Sequence, residues 1–175
     1  MKKIMIFGTP GSGKTHFAEK LGTITKIPVF HLDKYFYSAN WQEKPEQDFL
    51  DDLYGILEQD TWILDGNCMH SLPLRWKEAD TIIYFKMNRF LCLYRILKRF
   101  VQRSLSFKIF PDRANNCPER LSPKLLIYTW NYQKRWNSLI EKCQREMPHK
   151  IWISLKTSHE VKTFLNRTQK SSNGL

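Results

Sequence analysis

The stretch that decides the fold of this chain reads Gly8-Thr9-Pro10-Gly11-Ser12-Gly13-Lys14-Thr15. It matches the pattern G-x-x-x-x-G-K-[ST] of a phosphate-binding P-loop. The apolar run over residues 4–7 favours a buried strand before the loop, and residues 16–21 favour a helix after it, with Gly22 as its C-cap. Because a P-loop works between a strand and a helix, this setting strengthens the prediction of a nucleotide site.

The residue types in the loop suit a polyphosphate. Glycines let main-chain N–H groups approach phosphates closely, and the N-terminus of the following helix adds a positive partial charge. The Lys14 ammonium would reach the β- and γ-phosphates, and the Thr15 hydroxyl would bind a bridging Mg²⁺. The residues expected to hold a nucleoside triphosphate are Gly8, Pro10, Gly11, Ser12, Gly13, Lys14, Thr15 and His16.

Length and composition indicate one globular domain over residues 1–175, because 42% of the residues are hydrophobic and no linker divides the chain. No stretch approaches the length of a membrane span, and Met1-Lys2-Lys3 leads into the first strand without the apolar core of a signal peptide. The cysteines stand too far apart for a C-x-x-C zinc site or a dense disulfide framework. We therefore expect reduced thiols in a cytoplasmic protein, at Cys68, Cys92, Cys117 and Cys143.

The formal net charge of +11 is unevenly distributed. Residues 1–80 carry 9 Lys/Arg and 12 Asp/Glu, whereas residues 81–175 carry 19 and 5. The basic second half could bind a polyanion such as nucleic acid, or it could supply arginines to the phosphates of a small substrate. A solvated basic surface is the third possibility, and net charge alone does not separate them.

Strand-like and helix-like segments alternate along the chain, which predicts a parallel sheet flanked by helices, with ligands at the carboxyl ends of the strands. The further strands are expected at residues 29–32, 62–64, 81–85 and 151–155. The helices are expected at residues 45–58, 89–105, 123–145 and 158–166, followed by a frayed tail over 168–175. The apolar stripe of the helix over 89–105 would comprise Phe90, Leu93, Leu97, Phe100 and Val101.

Two carboxylates are expected beside the P-loop at strand ends. Asp65 follows an apolar strand and precedes Gly66, as a Walker B carboxylate does, and would orient the Mg²⁺ shell through water. Asp33 ends another strand and would either deprotonate or position an acceptor hydroxyl. The alternative for each is an aspartate that begins a turn or caps a helix.

Arginines recur every four residues on the long helix, at Arg95, Arg99 and Arg103, and so share one face. Arginines of this kind stabilise the charge of a transferred phosphoryl group, whereas the alternative is a solvated basic face. Elsewhere, Arg75 either grips the acceptor or pairs with Glu78. The histidines show no metal-ligand spacing and receive no predicted chemistry. The aromatic cluster after Asp33 could stack on a base or line an acceptor pocket, but a core role is favoured for Tyr35, Phe36, Tyr37 and Trp41.

Taken together, these motifs resemble a family of bacterial P-loop proteins labelled DNA topology modulation protein (FlaR-type), which are themselves similar to adenylate kinases. The resemblance runs from Ile4 to about Leu165. Besides the P-loop, it rests on the joint order of His31-Leu32-Asp33, Trp62-Ile63-Leu64-Asp65-Gly66-Asn67, Ala79-Asp80-Thr81-Ile82-Ile83, Cys92-Leu93-Tyr94-Arg95 with Arg99, and Cys117-Pro118-Glu119-Arg120.

The resemblance implies a three-layer α/β fold with sheet order 2-3-1-4-5, ATP-Mg²⁺ as phosphoryl donor and a lid over about residues 104–122. Asn67-Cys68-Met69 replaces the Phe-Pro-Arg that grips the nucleotide acceptor in adenylate kinases, so their acceptor specificity does not carry over. The leading hypothesis is a small kinase for an unidentified acceptor, plausibly a nucleoside or nucleotide, with Lys14, Asp33, Arg95 and Arg99 as catalytic residues and Thr15 and Asp65 at the metal.

The main alternative is a nucleotide-responsive DNA-binding protein that grips phosphates without base readout. No helix-turn-helix or other DNA-reading module is recognisable in the sequence. A GTPase switch ranks last, because the guanine-reading motif Asn-Lys-x-Asp is missing from the sequence.

Overall fold

The alternating apolar segments form a five-stranded parallel sheet in the computed structural model, which describes residues 1–104, 117 and 121–173. The strand order is β2-β3-β1-β4-β5, so the predicted 2-3-1-4-5 order is confirmed. The strands are β1 (Lys3–Gly8), β2 (Val29–His31), β3 (Trp62–Asp65), β4 (Thr81–Phe85) and β5 (Ile151–Leu155).

Helices cover both faces of this sheet. They are α1 (Lys14–Thr25), α2 (Leu32–Phe36), α3 (Glu46–Leu57), α4 (Leu72–Glu78), α5 (Arg89–Ser104), α6 (Pro123–Glu146) and α7 (Ser158–Asn173). No described helix is both long and apolar enough to cross a lipid bilayer.

The side-chain alternation of the strands builds two separate cores, one on each face of the sheet. Met5 and Phe7 of β1 point into one core with α3, α4 and α6, while Ile4 and Ile6 point into the other with α1 and α7. All four β1 side chains are fully buried. Since β1 is the central strand, both cores fix the position of the loop that follows it.

The structure corrects the expected boundaries at three places. The helix α1 continues past Gly22 to Thr25, and Gly22 lets α1 pack closely on Val29, since a Cβ there would lie 2.4 Å from Cγ2 of Val29. The strand β2 ends at His31, and the short helix α2 begins directly after it, so Asp33 lies in a helix. The tail predicted to fray from residue 168 remains helical through Asn173, with the Thr168 hydroxyl donating to the Phe164 carbonyl.

The expected apolar stripe of α5 is wrong. Phe90 and Val101 are 62% and 56% exposed, whereas Cys92 and Ile96 are the buried residues of this helix. This narrow face is buried because the P-loop packs against it: a Cβ on Gly11 would lie 2.5 Å from the carbonyl oxygen of Cys92. Of the lid predicted over residues 104–122, only 104, 117, 121 and 122 belong to the described residues.

The Asp80 carboxylate fastens the beginning of β1 to that of β4. Its oxygens accept hydrogen bonds from the backbone N–H groups of Lys2 (2.6 Å) and Lys3 (3.1 Å) and from the Thr81 hydroxyl (2.6 Å). Burial raises the pKa of Asp80, but these hydrogen bonds outweigh burial and hold it below its usual value. A depressed carboxyl pKa contributes stability that is present above the unfolded-state pKa and is lost as pH falls through the folded-state pKa.

We therefore expect Asp80→Ala to lower the free energy of unfolding by about 1 kcal/mol at neutral pH, because hydrogen bonds to the carboxylate are lost. The difference from wild type should shrink as pH falls and the wild-type carboxyl takes up its proton. Urea denaturation between neutral and acidic pH measures it, with exposed Asp60→Ala as control. A difference that stays constant with pH would contradict this role of the charge.

Candidate active site

The backbone of residues 8–13 is confined between the end of β4 and the buried face of α5. A Cβ on Gly8 (φ +142°) would lie 2.4 Å from the Phe85 carbonyl oxygen, and one on Gly11 (φ +75°) would lie 2.5 Å from that of Cys92. Any side chain at either position would collide with backbone and force a conformation that L-residues rarely adopt. Glycine at these two positions therefore lets the loop adopt the backbone conformation that a phosphate-binding loop requires.

Lys14 begins α1 and turns its side chain back over the loop. Its Nζ donates hydrogen bonds to the carbonyl oxygens of Gly8 (3.0 Å) and Thr9 (3.1 Å). Burial lowers the pKa of this ammonium, whereas the negative charges of Asp65 and Asp33 oppose that effect. The loop thus holds a desolvated cation close to both predicted carboxylates.

Three buried oxygens around the loop have no hydrogen-bond partner within the described part of the chain. They are the hydroxyls of Thr9 and Ser12 and the Oδ1 atom of Asp65. Buried polar atoms are nearly always satisfied by protein, water or ligand, so these three oxygens are available to a water or a ligand bound beside the loop. The chemistry of these oxygens fits a hydrated cation and a polyphosphate.

The remaining predicted loop residues differ in exposure. Pro10 and Thr15 are half-buried, with Thr15 in the first turn of α1, and His16 is exposed. Gly13 has φ +96° and precedes α1 as its N-cap. The N-terminus of α1 therefore opens onto the same space as the loop, as expected for anion binding.

Asp65 ends β3, as predicted, and is 5% exposed. Its Oδ2 atom lies 3.1 Å from Nδ1 of His31, whose Nε2 lies 2.6 Å from Oε1 of Glu19. Burial lowers the pKa of His31, but the hydrogen bonds and charges of these two carboxylates outweigh it and raise the pKa above its usual value. The sequence contains no local signal for this bridge, because the histidines show no metal-ligand spacing and the partners of His31 lie 12 and 34 positions away.

Asp33 is exposed in the first turn of α2. Because α2 begins directly after β2, Asp33 lies at the carboxyl end of that strand, at the same edge of the sheet as Asp65. Burial and, to a smaller extent, the charge of Asp33 raise the pKa of Tyr37 to about 12. The residue is therefore carried by a helix and not by the end of a strand, and its role toward an acceptor stays a prediction.

Arg95 and Arg99 lie on the same face of α5. The guanidinium of Arg95 donates to the Ser12 carbonyl (2.9 Å) and to the Ser158 hydroxyl (3.0 Å), so it braces the loop against α7. Burial is the main cause that lowers the pKa of Lys14, and the positive charge of Arg99 adds to it. Both side chains are half-buried rather than spread on a solvated face.

Arg75 of α4 neither grips an acceptor nor pairs with Glu78, so both interpretations from sequence are wrong. It is fully buried, and its guanidinium donates to the Ser71 hydroxyl (3.0 Å) and to the carbonyl oxygens of Gly66 (3.0 Å) and Cys68 (2.6 Å). Burial lowers its pKa to about 10, which leaves it charged at neutral pH. These hydrogen bonds fix the backbone of the segment that directly follows Asp65.

Asn67 in the same connection links it to the P-loop. Its Oδ1 atom accepts hydrogen bonds from the Gly8 backbone N–H (3.0 Å) and the Tyr132 hydroxyl (3.3 Å). Tyr35 and Phe36 take the favoured core role, since both pack against the core and Phe36 lies edge-on against Phe49 at 5.2 Å between ring centroids. Tyr37 and Trp41 are half-buried and contact each other edge-on at 5.3 Å.

Solved structures match nearly the whole chain. Shikimate kinase from Acinetobacter baumannii, in complex with shikimate, is 13% identical with a TM-score of 0.63 over 99% of this chain and 94% of that one. The chain has the fold of P-loop kinases. Shikimate kinase from Bacteroides thetaiotaomicron (12% identity, TM-score 0.56, 97% of each chain) and a gluconokinase from Sinorhizobium meliloti 1021 (10%, 0.55, 97% and 94%) match similarly.

No family model matches this chain, and no curated protein matches it either. The comparisons thus support the P-loop kinase fold but not the FlaR-type family, and they give no support to a nucleic acid partner. At these identities the structural matches establish fold alone.

We expect Arg75→Met to lower the free energy of unfolding by about 3 kcal/mol, because several buried carbonyl oxygens lose their donors at once. Lys77→Met on the exposed side of α4 is the matched control and should change stability by less than about 0.5 kcal/mol. Chemical denaturation of the three proteins measures both values. Equal, small effects would show that Arg75 does not hold the connection after β3.

Proposed function

We propose that this protein is a small P-loop kinase that transfers the γ-phosphoryl group of ATP-Mg²⁺ to a hydroxyl of a small acceptor, plausibly a nucleoside or nucleotide. The observation that carries the proposal is the arrangement around Lys14. The Lys14 ammonium is buried against two carbonyl oxygens of one glycine-rich loop, and the charges of Asp65 and Asp33 act on it. The hydroxyls of Thr9 and Ser12 and the Oδ1 atom of Asp65 are buried without a partner among the described residues. Loops of this kind cradle the phosphates of the donor in P-loop enzymes, which supports the proposal.

On the donor side, the main-chain N–H groups of the loop and the N-terminus of α1 would surround the phosphates. Lys14 would exchange its bonds to the Gly8 and Thr9 carbonyls for phosphate oxygens, which carry full negative charge. The residues proposed to hold ATP are those predicted from sequence, namely Gly8, Pro10, Gly11, Ser12, Gly13, Lys14, Thr15 and His16.

On the metal side, Thr15 and Asp65 are proposed to hold Mg²⁺, with Asp65 acting through water. Thr15 offers a hydroxyl in the first turn of α1, and Asp65 offers a buried carboxylate oxygen that has no partner among the described residues. When bound, Mg²⁺ neutralises charge on the phosphates. Oxygen donors of this kind are the ones Mg²⁺ prefers.

On the acceptor side, Asp33 would accept the hydrogen bond of the acceptor hydroxyl and take up its proton as the oxygen attacks the γ-phosphorus. The bond to the β–γ bridging oxygen breaks, and ADP leaves with the electron pair. Lys14, Arg95 and Arg99 would stabilise the negative charge on the transferred oxygens. If the acceptor is itself a phosphate, Asp33 only positions it.

The acceptor can be identified by measuring ADP release from ATP-Mg²⁺ in the presence of nucleosides, nucleotides and small hydroxyl metabolites. We expect Lys14→Met to reduce turnover with the acceptor so found by at least about a hundredfold, since an electrostatic contact to the transferred group is lost. Lys20→Met, on an exposed position of the same helix, should retain wild-type turnover. Unchanged turnover in a folded Lys14 variant would refute the mechanism.

Asp33→Asn should lower kcat by about a hundredfold or more while leaving the Kd for ATP unchanged, because the amide can position a hydroxyl but cannot take its proton. Stopped assays give kcat, and calorimetry gives the Kd. Asp60→Asn serves as the matched exposed control. If kcat remains at the wild-type value, Asp33 is not the base.

A further inference from the structure

The most unusual polar contact outside the expected site residues is the buried bridge through His31. Only 5% of this residue is exposed, and both ring nitrogens face a carboxylate. Nδ1 meets Asp65 of β3 at 3.1 Å, and Nε2 meets Glu19 of α1 at 2.6 Å. The ring therefore joins the strand that carries one proposed metal group to the helix that carries the other.

The backbone explains why these groups meet. His31 and Asp65 are register partners on the neighbouring parallel strands β2 and β3, so their side chains leave the sheet on the same side. Glu19 follows Thr15 by four residues on α1 and lies on the same helix face. The ring thus spans the gap between the sheet edge and the first turns of α1.

The bridge leaves the two oxygens of Asp65 in different states. Oδ2 is held by His31, whereas Oδ1 is buried with no partner among the described residues. A carboxylate can rotate about its last bond, and a hydrogen bond to one oxygen fixes the direction of the other. Partners of this kind orient metal-binding carboxylates and commonly change metal affinity by about 10- to 100-fold when they are removed.

We propose that His31 is a positioning residue for the magnesium site, which fixes Asp65 so that Oδ1 faces the metal's water shell. The proposal rests on the proposed function, because it needs ATP-Mg²⁺ in the P-loop. The competing explanation is a core histidine that only ties β2 to α1. That explanation makes Glu19 the important partner, while ours makes Asp65 the important partner.

Two substitutions separate the explanations, because each keeps one half of the bridge. In His31→Asn the amide nitrogen lies near the position of Nδ1 and can still donate to Asp65. In His31→Gln the longer amide reaches toward the position of Nε2 and keeps the bond to Glu19. Calorimetric titration with ATP, at increasing Mg²⁺ and in EDTA, gives the Mg²⁺ concentration needed for half-maximal enhancement of binding.

We expect the half-maximal Mg²⁺ concentration of His31→Asn to lie within about threefold of the wild-type value. That of His31→Gln should be about tenfold higher than the wild-type value. Binding of ATP in EDTA should be the same in all three proteins. An equal Mg²⁺ requirement in the two variants would overturn the positioning role while leaving the proposed function intact. A wild type that binds no ATP would instead overturn the proposed function, and the positioning role with it.

If neither His31 variant folds, Glu19→Ala takes their place, since the Glu19 side chain is 53% exposed and its loss does not open the core. Because the ring still donates to Asp65 through Nδ1, this variant should need Mg²⁺ within about threefold of wild type. A requirement about tenfold or more above wild type would overturn the proposal, since Glu19 and not the bond to Asp65 would then set the metal affinity.

Discussion

The rest of the structure depends on the confinement of the P-loop backbone between β4 and α5. Gly8 and Gly11 lie so close to the carbonyl oxygens of Phe85 and Cys92 that neither position has room for a side chain. This packing fixes the loop before any ligand arrives, so little ordering entropy remains to be lost on binding. It also explains why α5 buries Cys92 and Ile96, whereas Phe90, Tyr94, Leu97 and Val101 of the same helix are exposed.

The loop brings together polar groups whose chemistry suits a polyphosphate and its metal. Lys14 is buried against the carbonyl oxygens of Gly8 and Thr9, and burial disfavours its charge. Asp65 keeps one buried oxygen without a partner in the described chain. Burying such groups costs free energy unless they are paired, and a polyphosphate with its metal would pair them together.

Much of this architecture could be predicted from the sequence because its signals are local. The P-loop pattern, the buried strands and the aspartate at the end of β3 are each encoded within a few neighbouring residues. What was missed depends on distant contacts. His31 contacts partners 12 and 34 positions away. Arg75 donates to backbone oxygens and not to an acid. The buried face of α5 is set by its contact with the P-loop. The short helix α2 was missed because its five residues follow a strand end, look like a loop and are too few to show a helical period.

The loop around Lys14 is expected to bind a nucleoside triphosphate with magnesium, and isothermal titration of the wild-type protein with ATP-Mg²⁺ measures this binding. We expect saturable binding of one ATP per chain. Heat that never exceeds dilution, with ATP or with any other common nucleoside triphosphate, would contradict the proposed site.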